Sequence, residues 1–153
     1  MRGNLNTNQI NNLLSSQAIG RLACCDERFP YIVPMTYTYD GKHIFGQTNE
    51  GKKLDILRKN PNIAFQVDSY LDLFNWQSVI IYGQFEEIVE NENEYAKEIL
   101  EKRLMPLMTS SCVHNHEHSV SYAYADEVNE DMGSKTIMFK ITINEKTGRF
   151  ERQ

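Results

Sequence analysis

Two runs rich in aromatic and branched residues, Pro30 to Tyr39 and Lys42 to Phe45, flank the dipeptide Asp40-Gly41. Asp and Gly tolerate the positive φ angles of a tight turn, so this spacing predicts a β-hairpin. Further strand-like runs cover Ala18 to Cys25, Asn62 to Leu73 and Trp76 to Val89, the last alternating through Val79, Ile81, Gly83 and Phe85, with a bend near Asn75. A final strand is expected from Thr136 to Asn144, ahead of a turn at Glu145-Lys146-Thr147-Gly148. Six strands with closely spaced turn signals, interrupted by a few helices, predict a mainly β fold, an antiparallel barrel with peripheral helices. Pro34 cannot donate a ladder hydrogen bond, so it belongs at a sheet edge, a bulge or an opening where a planar ligand could approach backbone.

Three helices are expected. Thr7 or Asn8 caps a short one carrying Ile10, Leu13 and Leu14 at helical spacing, read as a lid or end plug. A second runs from Leu54 to Lys59, turns Leu54 and Leu57 inward and ends at Asn60-Pro61, because the residue before proline is driven out of helical geometry. The third, Asn91 to Met105, places Tyr95, Ala96, Ile99, Leu100 and Leu104 on one stripe, with Glu92, Glu94, Glu98 and Glu101 as a solvated face, and Pro106 limits its continuation. Thr109 to Lys135 is polar and weakly patterned, as functional or mobile loops of this length are.

The chain has 153 residues, 41% of them hydrophobic, with no repeat or linker, so a single domain spanning 1–153 is expected. A net charge of -5 disfavours nucleic-acid partners. No apolar run approaches the roughly 20 residues needed to span a bilayer, and no leader-like segment is evident, so a soluble cytoplasmic protein is expected, with no membrane partner. Cys24, Cys25 and Cys112 lack metal-type spacing and fit a reducing compartment, with one of the adjacent pair packed and the other on the opposite strand face.

The chemistry-bearing feature is Gly46-Gln47-Thr48-Asn49-Glu50-Gly51-Lys52-Lys53, between a strand and a helix. A helix start carries unpaired N–H groups and a partial positive charge, so adjacent cations there are repelled unless an anion, most naturally a phosphate, joins them. The competing explanation is two lysines extending into water from an exposed turn. His114, His116 and His118 alternate and would share one face of an extended strand, an arrangement a zinc or haem site could use, but with no cysteine or carboxylate pattern beside them an exposed polar loop is the better explanation and no metal site is assigned. Tyr122 and Tyr124 are candidates for packing or an interface, Trp76 for sealing a dimer, and His43 for the surface.

Pro30-Tyr31-Ile32-Val33-Pro34-Met35, Asp40-Gly41, Gln47 to Lys53, Leu57-Arg58-Lys59-Asn60-Pro61, Trp76-Gln77-Ser78-Val79, Tyr82-Gly83 and Thr147-Gly148-Arg149 occur in the order found in one family. Over Ala18 to Arg149 the chain resembles the pyridoxamine 5'-phosphate oxidase-like FMN-binding split-barrel proteins, and most of all their small nitroimidazole-reductase-like branch. That resemblance implies a six-stranded antiparallel split β-barrel, homodimeric, with FMN near the subunit interface. It implies Lys52 and Lys53 on the phosphate, Gln47 or Thr48 on phosphate or ribityl oxygens, backbone around Pro34, Met35 and Thr36 along the isoalloxazine, and Ser78 reaching the ring or ribityl from the facing strand.

Three departures qualify the resemblance. The chain ends at Gln153 without the terminal Arg and His segment by which the oxidases hold their substrate, so vitamin B6 oxidation is not expected. Gly46 and Gln47 stand where the nitroimidazole branch often has a histidine, and lysine replaces an arginine at the phosphate site. The implied function is an FMN-dependent oxidoreductase passing electrons from a nicotinamide nucleotide to a small organic acceptor or oxygen, with the flavin as the reacting group and no catalytic side chain assigned. A haem-binding split barrel and a non-catalytic flavin carrier or sensor are the alternatives.

Overall fold

The computed structural model describes residues 1–88, 90–111 and 136–153. Its elements are β1 (Arg2–Asn4), α1 (Thr7–Ser16), β2 (Ile19–Cys25), β3 (Pro30–Thr36), β4 (Thr38–Tyr39), β5 (His43–Asn49), α2 (Lys52–Lys59), β6 (Asn62–Asp72), β7 (Asn75–Glu87), α3 (Glu90–Ser111) and β8 (Thr136–Glu151). All pairings are antiparallel, in the order β3-β2-β6-β7-β8-β5-β4, with β1 added beside β8. The fold is the expected mainly β split barrel, with eight strands in place of six.

One residue accounts for half of that difference. Tyr37 interrupts the run from Pro30 to Tyr39, so the chain leaves one end of the sheet as β3 and re-enters at the other as β4. Its ring is fully buried against Phe65 at 5.2 Å, its hydroxyl donates to the Leu14 carbonyl at 2.7 Å, and its N–H donates to the Ala18 carbonyl at 3.0 Å. β5 comes close to the end of β3 at Gly46, where a Cβ would lie 3.1 Å from the Thr36 carbonyl oxygen and 2.5 Å from the Phe139 ring. The other added strand, β1, comes from Arg-Gly-Asn, which has no β signature and is held by pairing with Arg149–Glu151.

The predicted turn at Glu145–Gly148 is instead the second half of β8, which pairs with β7 from Glu87 opposite Phe139 to Trp76 opposite Glu151. A register shift at Tyr82/Gly83 leaves Asn144 as the extra residue, so the turn-like residues mark a bulge. Gly148 answers a different need. A Cβ there would meet Leu5 Cβ at 2.8 Å, where the Leu5 N–H donates to the Gly148 carbonyl at 3.0 Å. Helix α3 likewise passes through Pro106 to Ser111. Pro106 and Lys102 both lie on the exposed side, so the Lys102 carbonyl that loses its intrahelical donor faces water.

Helix α1 plugs one end of the barrel with Ile10, Leu13 and Leu14; its cap is Asn6, in a capping box with Gln9, one residue ahead of the predicted Thr7 or Asn8. Within the barrel Leu22, Phe65, Val67, Val79, Ile81 and Ile141 are sealed, and Leu54 and Leu57 anchor α2 to the same core. Outside it, Ala96, Leu100 and Leu104 of α3 pack on Phe45 and Met138. Cys24 is packed and Cys25 exposed, as strand alternation requires. His43 is half-buried, edge-on to Phe45 at 5.9 Å, and not simply a surface residue. Cys112, the histidines 114, 116 and 118, Tyr122 and Tyr124 lie outside the described residues.

Candidate functional site

The β4–β5 hairpin forms as predicted: Asp40 Oδ1 accepts the Lys42 and His43 N–H groups at 2.8 and 2.6 Å, and Gly41 takes a φ of 100°. Strand β5 runs four residues beyond Phe45, to Asn49, and only Glu50-Gly51 separates it from α2. Gly51 has a φ of 150°, which side chains rarely adopt, and supplies no side-chain cap. Lys52 and Lys53 therefore occupy the first two positions of an uncapped helix start, the placement inferred from sequence.

Their environments differ. Lys52 is exposed, with Nζ 5.1 Å from the centroid of the Tyr31 ring. Lys53 is half-buried, and burial pulls its pKa below 10.5, partly opposed by the thiol of Cys24 nearby. Among the described residues neither lysine lies within ion-pairing distance of a carboxylate. Glu50, two residues away, is turned onto Arg58, which donates to both its oxygens at 2.8 Å and to Glu87 at 2.6 and 3.2 Å. These charged hydrogen bonds, Glu50 first, hold the guanidinium well above its ordinary pKa. Glu50 is thereby neutralised, Asp26 shares a cavity with Lys52, and half-buried Lys53 stands at the uncapped helix start.

Among the described residues strand β3 ends the sheet order and pairs only with β2, so alternate backbone groups of Pro34, Met35 and Thr36 point away from the sheet. Pro34 sits on the edge, as its chemistry demands; it and Thr36 are exposed, and Met35 is buried. Thr48, buried, pairs with Ile137 and faces the barrel, while Gln47 pairs with Met138 and faces the α3 side. Their side chains thus point to opposite faces. Ser78 lies on the outer face of β7, accepting from Gln66 Nε2 at 3.2 Å. Pro34 shares that face, but β2 and β6 intervene, so roughly 14 Å separate the two strands at about 4.8 Å per step. Within one protomer Ser78 does not join the β3 edge.

That outer face is apolar at its centre. Ile32, Ala23, Ala64 and Tyr82 stand in one register row beside Pro34, Arg21, Gln66 and Ile80 in the next. Ile32 is 63% exposed, Tyr82 50% and Ile80 37%. Arg21 pairs with the nearly enclosed carboxylate of Asp68, and the Tyr70 hydroxyl, its pKa raised by its bond to Asp68, completes the group. Trp76 is half-buried on the same face, opposite Tyr70.

Sequence reasoning did not assign the surroundings of the lysines. Asp26, Arg28, Phe29, Tyr31 and Lys52 line a cavity of about 280 Å³ between the β2–β3 hairpin and α2. A basic residue next to an aromatic one in a hairpin was the available signal; its proximity to α2 is a tertiary fact. Among the described residues no helix is long and apolar enough to cross a membrane.

Comparison with known proteins agrees with this architecture. The chain is 33% identical over 90 residues to the uncharacterized protein RA0666 of Rhizobium meliloti (strain 1021), a match over 56% of this chain that spans only 60% of that protein's length. Its fold is similar to the crystal structure of a FAD-binding protein from Mesorhizobium loti, with a TM-score of 0.75 and 22% identity over 100% of this chain and 98% of that one. It is also similar to a candidate 5-nitroimidazole antibiotic resistance protein from Bacteroides thetaiotaomicron VPI-5482, with a TM-score of 0.69 and 16% identity over 98% and 87% of the two chains. The family model described as pyridoxamine 5'-phosphate oxidase matches residues 6–150, and the chain belongs to that family.

Proposed function

We propose that this protein is a homodimeric flavin-dependent oxidoreductase that holds FMN by its phosphate and passes electrons from a nicotinamide nucleotide to a small organic acceptor or oxygen. The observation that carries the reading is half-buried Lys53, with no carboxylate partner among the described residues, beside Lys52 at an uncapped helix start. A dianionic phosphate satisfies the first-turn N–H groups and both ammonium groups at once. The FAD-binding protein of similar fold supports a flavin, and family membership supports the same cofactor class.

In this reading the chain's own residues bind and orient. Lys52, Lys53 and the N–H groups of α2 fix the phosphate, and Thr48 faces the same end of the barrel. The edge of Pro34, Met35 and Thr36, unpaired among the described residues, would offer backbone donors and acceptors to the flavin ring. When bound, the flavin supplies hydride and single-electron chemistry, and no side chain of the site is assigned a catalytic role.

A second copy fits the outer face. Ile32, Ile80 and Tyr82 are too exposed to serve a monomer's stability, while Arg21 and Asp68 neutralise each other beside them, so the patch suits association. Ser78 then contributes across a two-fold axis and not within its own chain. Purified apo-protein mixed with FMN and desalted is expected to retain flavin absorbance and to elute at twice the chain mass. Loss of all flavin on desalting refutes the reading.

A further inference from the structure

The sheet carries an apolar feature at each end that a single chain leaves open to water. At one end the turn between β6 and β7 projects Leu71 and Leu73, both 86% exposed, and Phe74, 55% exposed. Asp72 fixes the shape of this knob: its Oδ1 accepts the Phe74 N–H at 2.8 Å, and its two oxygens accept from Asn75 Nδ2 at 3.0 and 2.9 Å. Large apolar side chains held out by a built turn mark a contact surface. At the other end is the cavity between the β2–β3 hairpin and α2. Phe29, 75% exposed, Pro30 and Tyr31 are its apolar walls, and its cations Arg28 and Lys52 outnumber its one acid, Asp26. Cys25 in that hairpin pairs with Pro30, and its carbonyl accepts from Asn60 just ahead of β6. Knob and cavity therefore stand at opposite ends of the 11 residues of β6, roughly 33 Å apart at about 3.3 Å per residue.

We infer that the knob of a second copy of this chain seats in the cavity, with Leu73 and Phe74 of the partner subunit against Phe29 and Tyr31 and the partner's Asp72 towards Arg28. Each protomer then closes the other's cavity beside the phosphate lysines. The inference rests on the homodimeric reading above and adds to it the register in which the two faces meet. Three observations favour this register. A two-fold axis lying across the strands brings each knob to the other chain's cavity and makes the contact twice; an axis along the strands gathers both knobs and both Asp72 carboxylates at one end and leaves both cavities open. Ile32, Ile80 and Tyr82 alone fall short of the roughly 800 Å² that each partner of a stable dimer buries, and the two end contacts extend the patch along the whole sheet. The knob is already shaped by Asp72 and Asn75, so seating it orders little that was free.

Cross-linking tests the register. In a full-length C25S/C112S background, which keeps only buried Cys24, the variants F29C, L73C and F29C/L73C are treated with a short bis-maleimide. The expected result is a covalent dimer from F29C/L73C alone, with positions 29 and 73 joined on peptide mass mapping. A covalent dimer from L73C alone would set knob on knob and overturns the inference, as does a double variant that elutes as a dimer and gives no cross-link. As a second measurement, L71D/L73D alters only the exposed turn and is expected to weaken the dimer about tenfold or more in light scattering; an unchanged dissociation constant also overturns the inference. A chain that is monomeric at all concentrations removes the dimer and this register with it. Neither readout uses the flavin: FMN retained on desalting beside a failed cross-link keeps the flavin reading and removes this one, and a positive cross-link in a protein that retains no FMN does the reverse.

Discussion

Replacing both lysines, as K52A/K53A, separates a phosphate anchor from a solvated pair. Hydrogen bonds to charged groups contribute roughly 1.5–3 kcal/mol each. Lys53 is half-buried and has no carboxylate partner among the described residues, so it belongs in the upper part of that range, whereas Lys52 is exposed and screened and is worth about 0.5–1 kcal/mol. Together they contribute about 2.5–4 kcal/mol, which at 1.4 kcal/mol per tenfold weakens FMN about 60- to 700-fold. The control is riboflavin, which has the same ring and ribityl chain but no phosphate, and its affinity should hold within about twofold. Fluorescence quenching titrations of both ligands against wild type and variant give the ratio directly. Equal weakening of riboflavin and FMN would show that the substitution damages α2 and not an anion site. Unchanged affinity for both would move the phosphate elsewhere and refute the reasoning.

Three further outcomes follow from neighbouring contacts. Arg58→Ala releases Glu50 beside the helix start, so FMN affinity should fall while riboflavin is spared, and the added change E50Q should restore most of the loss in the same titrations, which a purely structural role for Arg58 would not allow. Burial lowers the Lys53 pKa in the apo-protein, and a bound phosphate raises it again; between the two values binding takes up a proton. FMN affinity should therefore decline as pH rises through the alkaline range below 10.5, and riboflavin affinity should not. In the apo-protein this depressed lysine costs stability at lower pH, a cost relieved as pH climbs through its folded pKa. On the outer face, I32D/Y82K places charges where a partner would desolvate them, so light scattering is expected to show monomers at concentrations at which the wild type is dimeric; dimers that persist would place the interface on another surface.

Local rules made much of the fold legible. Asp40-Gly41 dictated the hairpin, Asn60-Pro61 ended α2, Pro34 required an edge, and alternation through Val79, Ile81 and Phe85 marked the buried side of β7. What escaped depends on distant partners. Arg2–Asn4 is a strand only because β8 runs past it, and the glycine that looks like a turn at 148 is small because Leu5 lies against it. Tyr37 has good strand propensity and still leaves the sheet, since its ring and hydroxyl find better partners in Phe65 and Leu14. The candidate site divides in the same way. Two lysines at a helix start can be read from adjacent residues, whereas Arg28 and Tyr31 reach them only once α2 has packed on β2. Gln47 and Ser78 were named through family resemblance alone, and strand geometry turns the first away from Thr48 and sets the second three strands from Pro34.

Strand β3 carries two unsatisfied surfaces whose demands meet. Among the described residues its edge is unpaired, because Tyr37 takes the chain across to β4, and its outer side chains, Ile32 and Pro34, belong to the exposed apolar face. A flat ring laid along the edge would cover one of these and a second protomer the other, and because both rest on the same seven residues neither can bind without bordering the other. In the proposed reading one chain offers a flat ring only an edge, and the copy seated on the outer face would supply the facing wall. Sites that share a wall are energetically coupled, and the coupling is reciprocal: cofactor strengthens the dimer by the same factor by which the dimer strengthens cofactor binding. In the proposed reading, the split that gives β3 its free edge is therefore also what makes the cofactor site a property of two chains.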